Sequence, residues 1–308
     1  MFLQAPPEPE HLELSSIALD YAGFLAAFAL YGALGFRLQV LRGADGAATG
    51  PDAPAMNDAL HSAESTAARI GAFGAGLLLV VQMLGVAASA TEKGIGFGAA
   101  LHAAPGRTLA GYLFLALLVV LYAVAMRRAK GAWIAAAVVA TLYTLRNAVT
   151  LRWFSVVNPL HIAAASLWLG TLMVLVVAGI AAVLRSTLPG LRRGELVAYL
   201  VNRFSPLALS AAGLLAVTGV VTAVRHLKYV AALWTTSYGI TFLVKLALVG
   251  VVLGLGAWNW RRVRPRLGSE RSALDIRRSS MAELTVAAIV LAVTALLVNL
   301  PAPKLPGT

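Results

Sequence analysis

Pro159 to Met173 reads PLHIAAASLWLGTLM and opens an apolar run that continues through Leu184, about the length that crosses a bilayer as one helix. Asn158 and Pro159 form a helix-start signal, a side-chain cap followed by a proline whose missing N–H costs nothing at the first helical position. His161 is therefore expected in the first turn, where the partial positive charge of the helix end favours the neutral, ligating imidazole. Trp168 follows seven residues later, about two turns, and so shares its face. Gly170 leaves room for a neighbouring helix to approach closely. A metal-competent side chain at the mouth of a membrane helix, with an aromatic beneath it, is what the rest of the chain is read around.

Working outward, the 308 residues are 59% hydrophobic and only 12% charged, with a mean hydropathy of +0.80. That composition excludes a soluble domain and predicts an all-α, polytopic integral membrane bundle. The net charge of +12 does not point to nucleic acid, because the basic residues cluster between apolar runs, as positive-inside topology requires. Cysteine is absent, which excludes disulfides, thiolate metal sites and cysteine nucleophiles. It leaves His, Met, Asp and Glu as candidate ligands. The first residues, MFLQAPPEPEHLEL, lack a basic segment and are not expected to act as a cleaved signal peptide. No phosphate-binding loop or Ser-His-Asp arrangement is present, so neither an enzyme nor an ATP-driven pump is expected.

Eight apolar runs divide the chain: Ile17–Val40, Ala67–Ala90, Leu109–Ala125, Ala132–Leu145, Leu160–Leu184, Phe204–Val224, Ile240–Trp260 and Met281–Leu300. The fourth is the weakest. Together they predict one transmembrane domain over residues 1–308, with about eight helices in contact with the lipid bilayer. Seventeen of the 25 Lys and Arg residues fall in one set of connections and seven in the other. This bias places the first set in the cytoplasm and both termini outside. Gly43–Thr66 and Arg261–Ser280 read as loops, and Leu191–Arg203 as a short interfacial helix.

With that orientation His11, His102, His161 and His226 fall at or near the outer face, and only His61 inside. Imidazole is the commonest side-chain metal ligand, which makes the four outer histidines candidates. Asp20, near the outer end of the first run, is an intramembrane acid and so a functional candidate by default. Its competing reading is a salt bridge to Lys245 or Arg146. Met83 and Met173 offer thioethers, which suit Cu(I). Glu283 lies in Ser280-Met281-Ala282-Glu283, a capping-box pattern that gives it the simple task of starting the last helix. Asn259 reads as a cytoplasmic helix end.

At this point the residues resemble the copper resistance protein D (CopD) family of bacterial inner-membrane proteins. His161-x6-Trp168-x-Gly170 is similar to its His-x6-Trp-x-Gly helix. The likeness continues through Phe204-Ser205, Thr218-Gly219, Tyr238-Gly239 with Lys245, Asn259-Trp260-Arg261-Arg262, and Arg277-Arg278 leading to Glu283, Thr294 and Pro301. It covers about Val156 to Pro303. Many members carry a Gly-His pair where this chain has Arg146-Asn147, a departure that alters the site or calls on another histidine. The resemblance implies copper handling at the periplasmic face of the inner membrane, with uptake the expected direction. It also implies a separate periplasmic copper donor of the CopC type as partner. The metal set expected on this reading is His161 with Asp20, His226, His102, His11, Met83 and Met173, supported by Trp168, Gly170, Lys245 and Glu283. Two alternatives stay open: a membrane cytochrome with histidine haem ligands, and a copper-delivery or assembly protein that does not transport.

Overall fold

The computed structural model describes residues 13–44, 50–146, 153–227 and 229–301, with Pro303. Among them there is no strand. Helix α1 is Leu14–Gly35, extended by a π-turn Phe36–Val40; α2 is Ala53–Glu92, α3 the short Phe97–His102, α4 Gly106–Ala125 and α5 Lys130–Leu145. Helix α6 begins as Trp153–Ala165 and runs on through π-segments Ser166–Gly170 and Leu175–Ile180 to Arg185. It is followed by α7 (Gly190–His226), α8 (Ala232–Thr235), α9 (Ser237–Trp258) and α10 (Glu270–Val298). Seven of these rods are long and apolar enough to cross a membrane, and α5 is a shorter apolar helix of 16 residues. At 1.5 Å per residue α5 reaches about 24 Å, short of a bilayer core of about 30 Å. The chain is thus a multi-pass helical membrane protein.

Helix α6 is the most enclosed of the seven spans. Its approach to α1 depends on paired glycines. A Cβ on Gly170 would overlap the Phe28 carbonyl, and one on Gly32 would overlap the Gly170 backbone. Small residues at such a crossing bring two backbones into contact, which is how helices associate where lipid removes the hydrophobic drive. The same device seats α2 on α1 at Gly74. Gly71 makes room for the ring of Tyr122 from α4, whose hydroxyl donates to Leu30 O at 2.6 Å. Tyr122 also meets Trp133 of α5 edge-on, with ring centroids 5.6 Å apart. This geometry adds about 0.5–1.5 kcal/mol beyond area burial.

The basic connections are gathered at one end of the bundle. Arg37 of the first π-turn pairs with Glu64 of α2 at 2.6 Å, and Arg203 donates to Arg42 O at 3.0 Å. Arg193 reaches Glu270 at 2.7 Å, and Arg264 reaches Asn202 at 2.6 Å. At the opposite end the first and last helices meet, Asn299 Nδ2 donating to Asp20 Oδ2 at 2.8 Å.

Five expectations from the sequence need correction. The helix bearing His161 starts at Trp153, so Pro159 lies inside it and His161 is not in its first turn. A membrane helix tolerates such a proline because neighbours can satisfy the carbonyl it frees, and the helix-end charge no longer acts on His161. The last helix starts at Glu270 and is capped by Ser269, whose hydroxyl accepts from Ser272 N in a reciprocal capping box. Glu283 is therefore mid-helix and only 4% exposed, not a cap, and most of Arg261–Ser280 is helical. Residues 53–66 belong to α2 rather than to a loop. Leu191–Arg203 is no separate interfacial helix but the start of the continuous α7. Hydropathy marks only the part of a helix in lipid, and these helices extend past it at the basic end.

Candidate metal centre and the polar pairs between the helices

Among the polar pairs between helices, three involve residues the sequence singled out. His161 of α6 faces α7, its Nδ1 lying 3.0 Å from Thr218 Oγ1. Thr218 is 5% exposed and its hydroxyl donates to Leu214 O at 2.7 Å, one turn earlier on its own helix. A hydroxyl engaged with its own helix in this way accepts from an Nδ1–H, an arrangement that favours the ring protonated at Nδ1. The lone pair of the neutral imidazole is then at Nε2. Fixing the tautomer through the far nitrogen is how a metal-binding histidine is oriented. Gly219 gives the ring its space, since a Cβ there would come 3.3 Å from His161 Cε1.

Lys245 of α9 is partly buried and within electrostatic range of His161. Its charge works against a second cation there, so a metal ion at His161 needs an anionic ligand or counter-charge. Asp20, partly buried at the same end of the bundle, accepts from Asn299. Among the described residues no hydrogen bond or ion pair joins it to His161, Lys245 or Arg146. Arg146 instead stacks on Tyr143, 3.8 Å from the ring centroid.

The other expected ligands are scattered. His102 ends α3 and is exposed. Met83 on α2 is 38% exposed, and Met173 is partly buried between the π-segments of α6. His11 lies outside the described residues, and of His226 only the backbone, at the end of α7, is described. No group of three His, Asp or Glu side chains positioned to hold a metal occurs among the described residues. His161 is the ligand candidate whose orientation the fold has set.

The third pair escaped the sequence. Asn259, 8% exposed just past α9, donates through Nδ2 to Glu283 Oε2 of α10 at 3.3 Å. Both line a cavity of about 630 Å³ that Trp168 and Leu172 of α6 also wall, with Phe204 of α7. The S-x-x-E pattern hid Glu283. A carboxylate one turn inside an apolar run was the available signal. Sixteen residues of α10, about 24 Å of rise, separate Glu283 from Asn299, so the two pairs sit near opposite ends of the membrane core.

Residues 198–297 match the family model described as Copper resistance protein D. That segment includes Thr218, Lys245, Asn259 and Glu283, and begins after His161. Copper transport protein CutJ of Bacillus subtilis (strain 168) is 31% identical over 150 residues, 48% of this chain and 25% of that protein. The chain spans about a quarter of the length of the curated relative it matches. No solved structure matches. The matched segment, residues 198–297, thus runs from α7 into α10 and takes in Thr218, which faces His161, and both members of the Asn259–Glu283 pair.

Proposed function

We propose that this chain moves copper across the bacterial inner membrane, taking the ion at His161 on the face opposite the arginines. One observation carries the reading. Thr218 holds the His161 ring so that Nε2 keeps its lone pair inside a membrane bundle. An imidazole nitrogen is a good copper donor; the family model that matches residues 198–297 is named for copper resistance, and a relative similar over 150 residues is named for copper transport. On this reading Asp20 supplies the negative charge that Lys245 makes necessary. Met173, Met83, His226, His102 and His11 are the pool from which the remaining ligands come. Trp168 and Gly170 hold the α6 wall in place beneath the site.

The arginine-rich end faces the cytoplasm, which puts both termini and His161 on the periplasmic side. Copper then arrives from a periplasmic carrier of the CopC type, and the direction is uptake. The test is copper accumulation by cells or vesicles bearing the chain, compared with the His161→Gln form. Uptake that depends on His161 supports transport. Copper binding without uptake would favour a delivery role, and a haem Soret band in the purified protein would favour a cytochrome.

A further inference from the structure

The Asn259–Glu283 pair has an unfinished hydrogen-bond set. Asn259 Nδ2 serves one carboxyl oxygen of Glu283, while Asn259 Oδ1 is buried without a partner. Glu283 turns its other oxygen, Oε1, toward Gly256, where a Cβ would come within 3.3 Å. Both side chains are more than nine-tenths buried and line the same cavity, whose remaining wall is mostly apolar. An ionised carboxyl with a single amide donor is poorly supported in such a wall, and a buried acceptor with no donor is a second deficit.

One proton removes both. Placed on Glu283 Oε1, it can be donated to Asn259 Oδ1 while Asn259 Nδ2 still donates to Oε2, closing a cyclic acid–amide pair. We propose that Glu283 and Asn259 form a proton-binding site in the half of the bundle nearest the arginines. A metal ion fits less well, because the pair offers two side-chain oxygens and no imidazole or thioether, whereas metals that favour oxygen take about six or more ligands. A proton needs one donor and one acceptor, which is what the pair supplies.

The charged surroundings are few. Among the described residues Arg261 and Arg264 are the other charged side chains lining the cavity, and Arg264 is held by Asn202. Helices α6 and α7 contribute no charged group to the lining. The arginine rim is where the cavity reaches the basic end, so protons exchange with water on that side. Use of the site during copper movement rests on the transport reading; the existence of the site does not.

The experiment uses the full chain in lipid nanodiscs, without copper. Dicyclohexylcarbodiimide, an apolar reagent that attacks protonated carboxyls, is followed by peptide mass mapping, alongside infrared spectra across a pH series. The expected result is modification at Glu283 that declines as pH rises, with a protonated-carboxyl C=O band that disappears in parallel. Both signals are lost in Glu283→Gln. That variant keeps the fold, because the Gln amide can donate to Asn259 Oδ1 and accept from Nδ2, as the protonated acid does. In Asn259→Leu the band persists but moves to higher frequency, having lost its amide partner. Absence of both signals at every pH where the chain stays folded overturns the proposal. So does a bound metal ion that wild type retains and Glu283→Gln loses.

Discussion

Thr218→Val is the most informative perturbation of the proposed copper site. Valine matches threonine in shape but removes the hydroxyl that faces His161 Nδ1. The hydroxyl's other bond, to Leu214 O within α7, is a back-bond to a carbonyl of its own helix, so its loss leaves the helix intact. Two effects then compete. A buried N–H left unpaired costs about 1–3 kcal/mol, which appears as reduced thermal stability. Loss of the group that orients a metal ligand costs about 10–100-fold in metal affinity, equivalent to about 1.4–2.8 kcal/mol. The assay is a copper titration of the purified protein against a competing chelator, beside a thermal melt. Thr218→Ser restores the hydroxyl and separates the two: it should recover affinity to within a few-fold of wild type. Wild-type copper affinity in Thr218→Val would refute the claim that Thr218 sets the ligating tautomer, whatever happens to the melting temperature.

Two further outcomes follow from the packing and the topology. Gly170→Ala places a methyl against the Phe28 carbonyl and should destabilise the bundle by about 1–3 kcal/mol as overpacking. This is read as a lower unfolding midpoint in mild detergent; an unchanged midpoint would mean that α1 and α6 separate freely. A reporter fused after Thr308 should behave as periplasmic, given the gathered arginines at the other end. Cytoplasmic behaviour would reverse the orientation.

The fold class was legible because hydropathy measures what lipid demands, and seven long spans with a weaker one are what the apolar runs foretold. Helix ends were not. Ser280-Met281-Ala282-Glu283 has the form of a cap, yet Ser269 does the capping eleven residues earlier, since α10 continues through polar, arginine-rich sequence outside the apolar zone. Pro159 misled in the same way, because neighbours in a membrane bundle can satisfy what a proline leaves open. His161 could be singled out by residue type and position. Its partner Thr218 could not, lying 57 residues away and joined to it only by the packing of α6 on α7. Asn259 does stand at the end of α9 and Glu283 is no cap, but the pairing of the two, 24 residues apart, lay outside any local reading.

The central claim is that His161 holds the copper, and the ratio of copper to protein tests it most directly. Metal analysis would compare the purified chain, after copper loading and removal of loose ions, with the His161→Gln form prepared identically. Glutamine keeps similar bulk and can still hydrogen-bond to Thr218, but it is a much poorer copper donor than imidazole. The account predicts bound copper in wild type and its loss in His161→Gln, with both proteins equally folded in the membrane. Equal copper in the two preparations would contradict it.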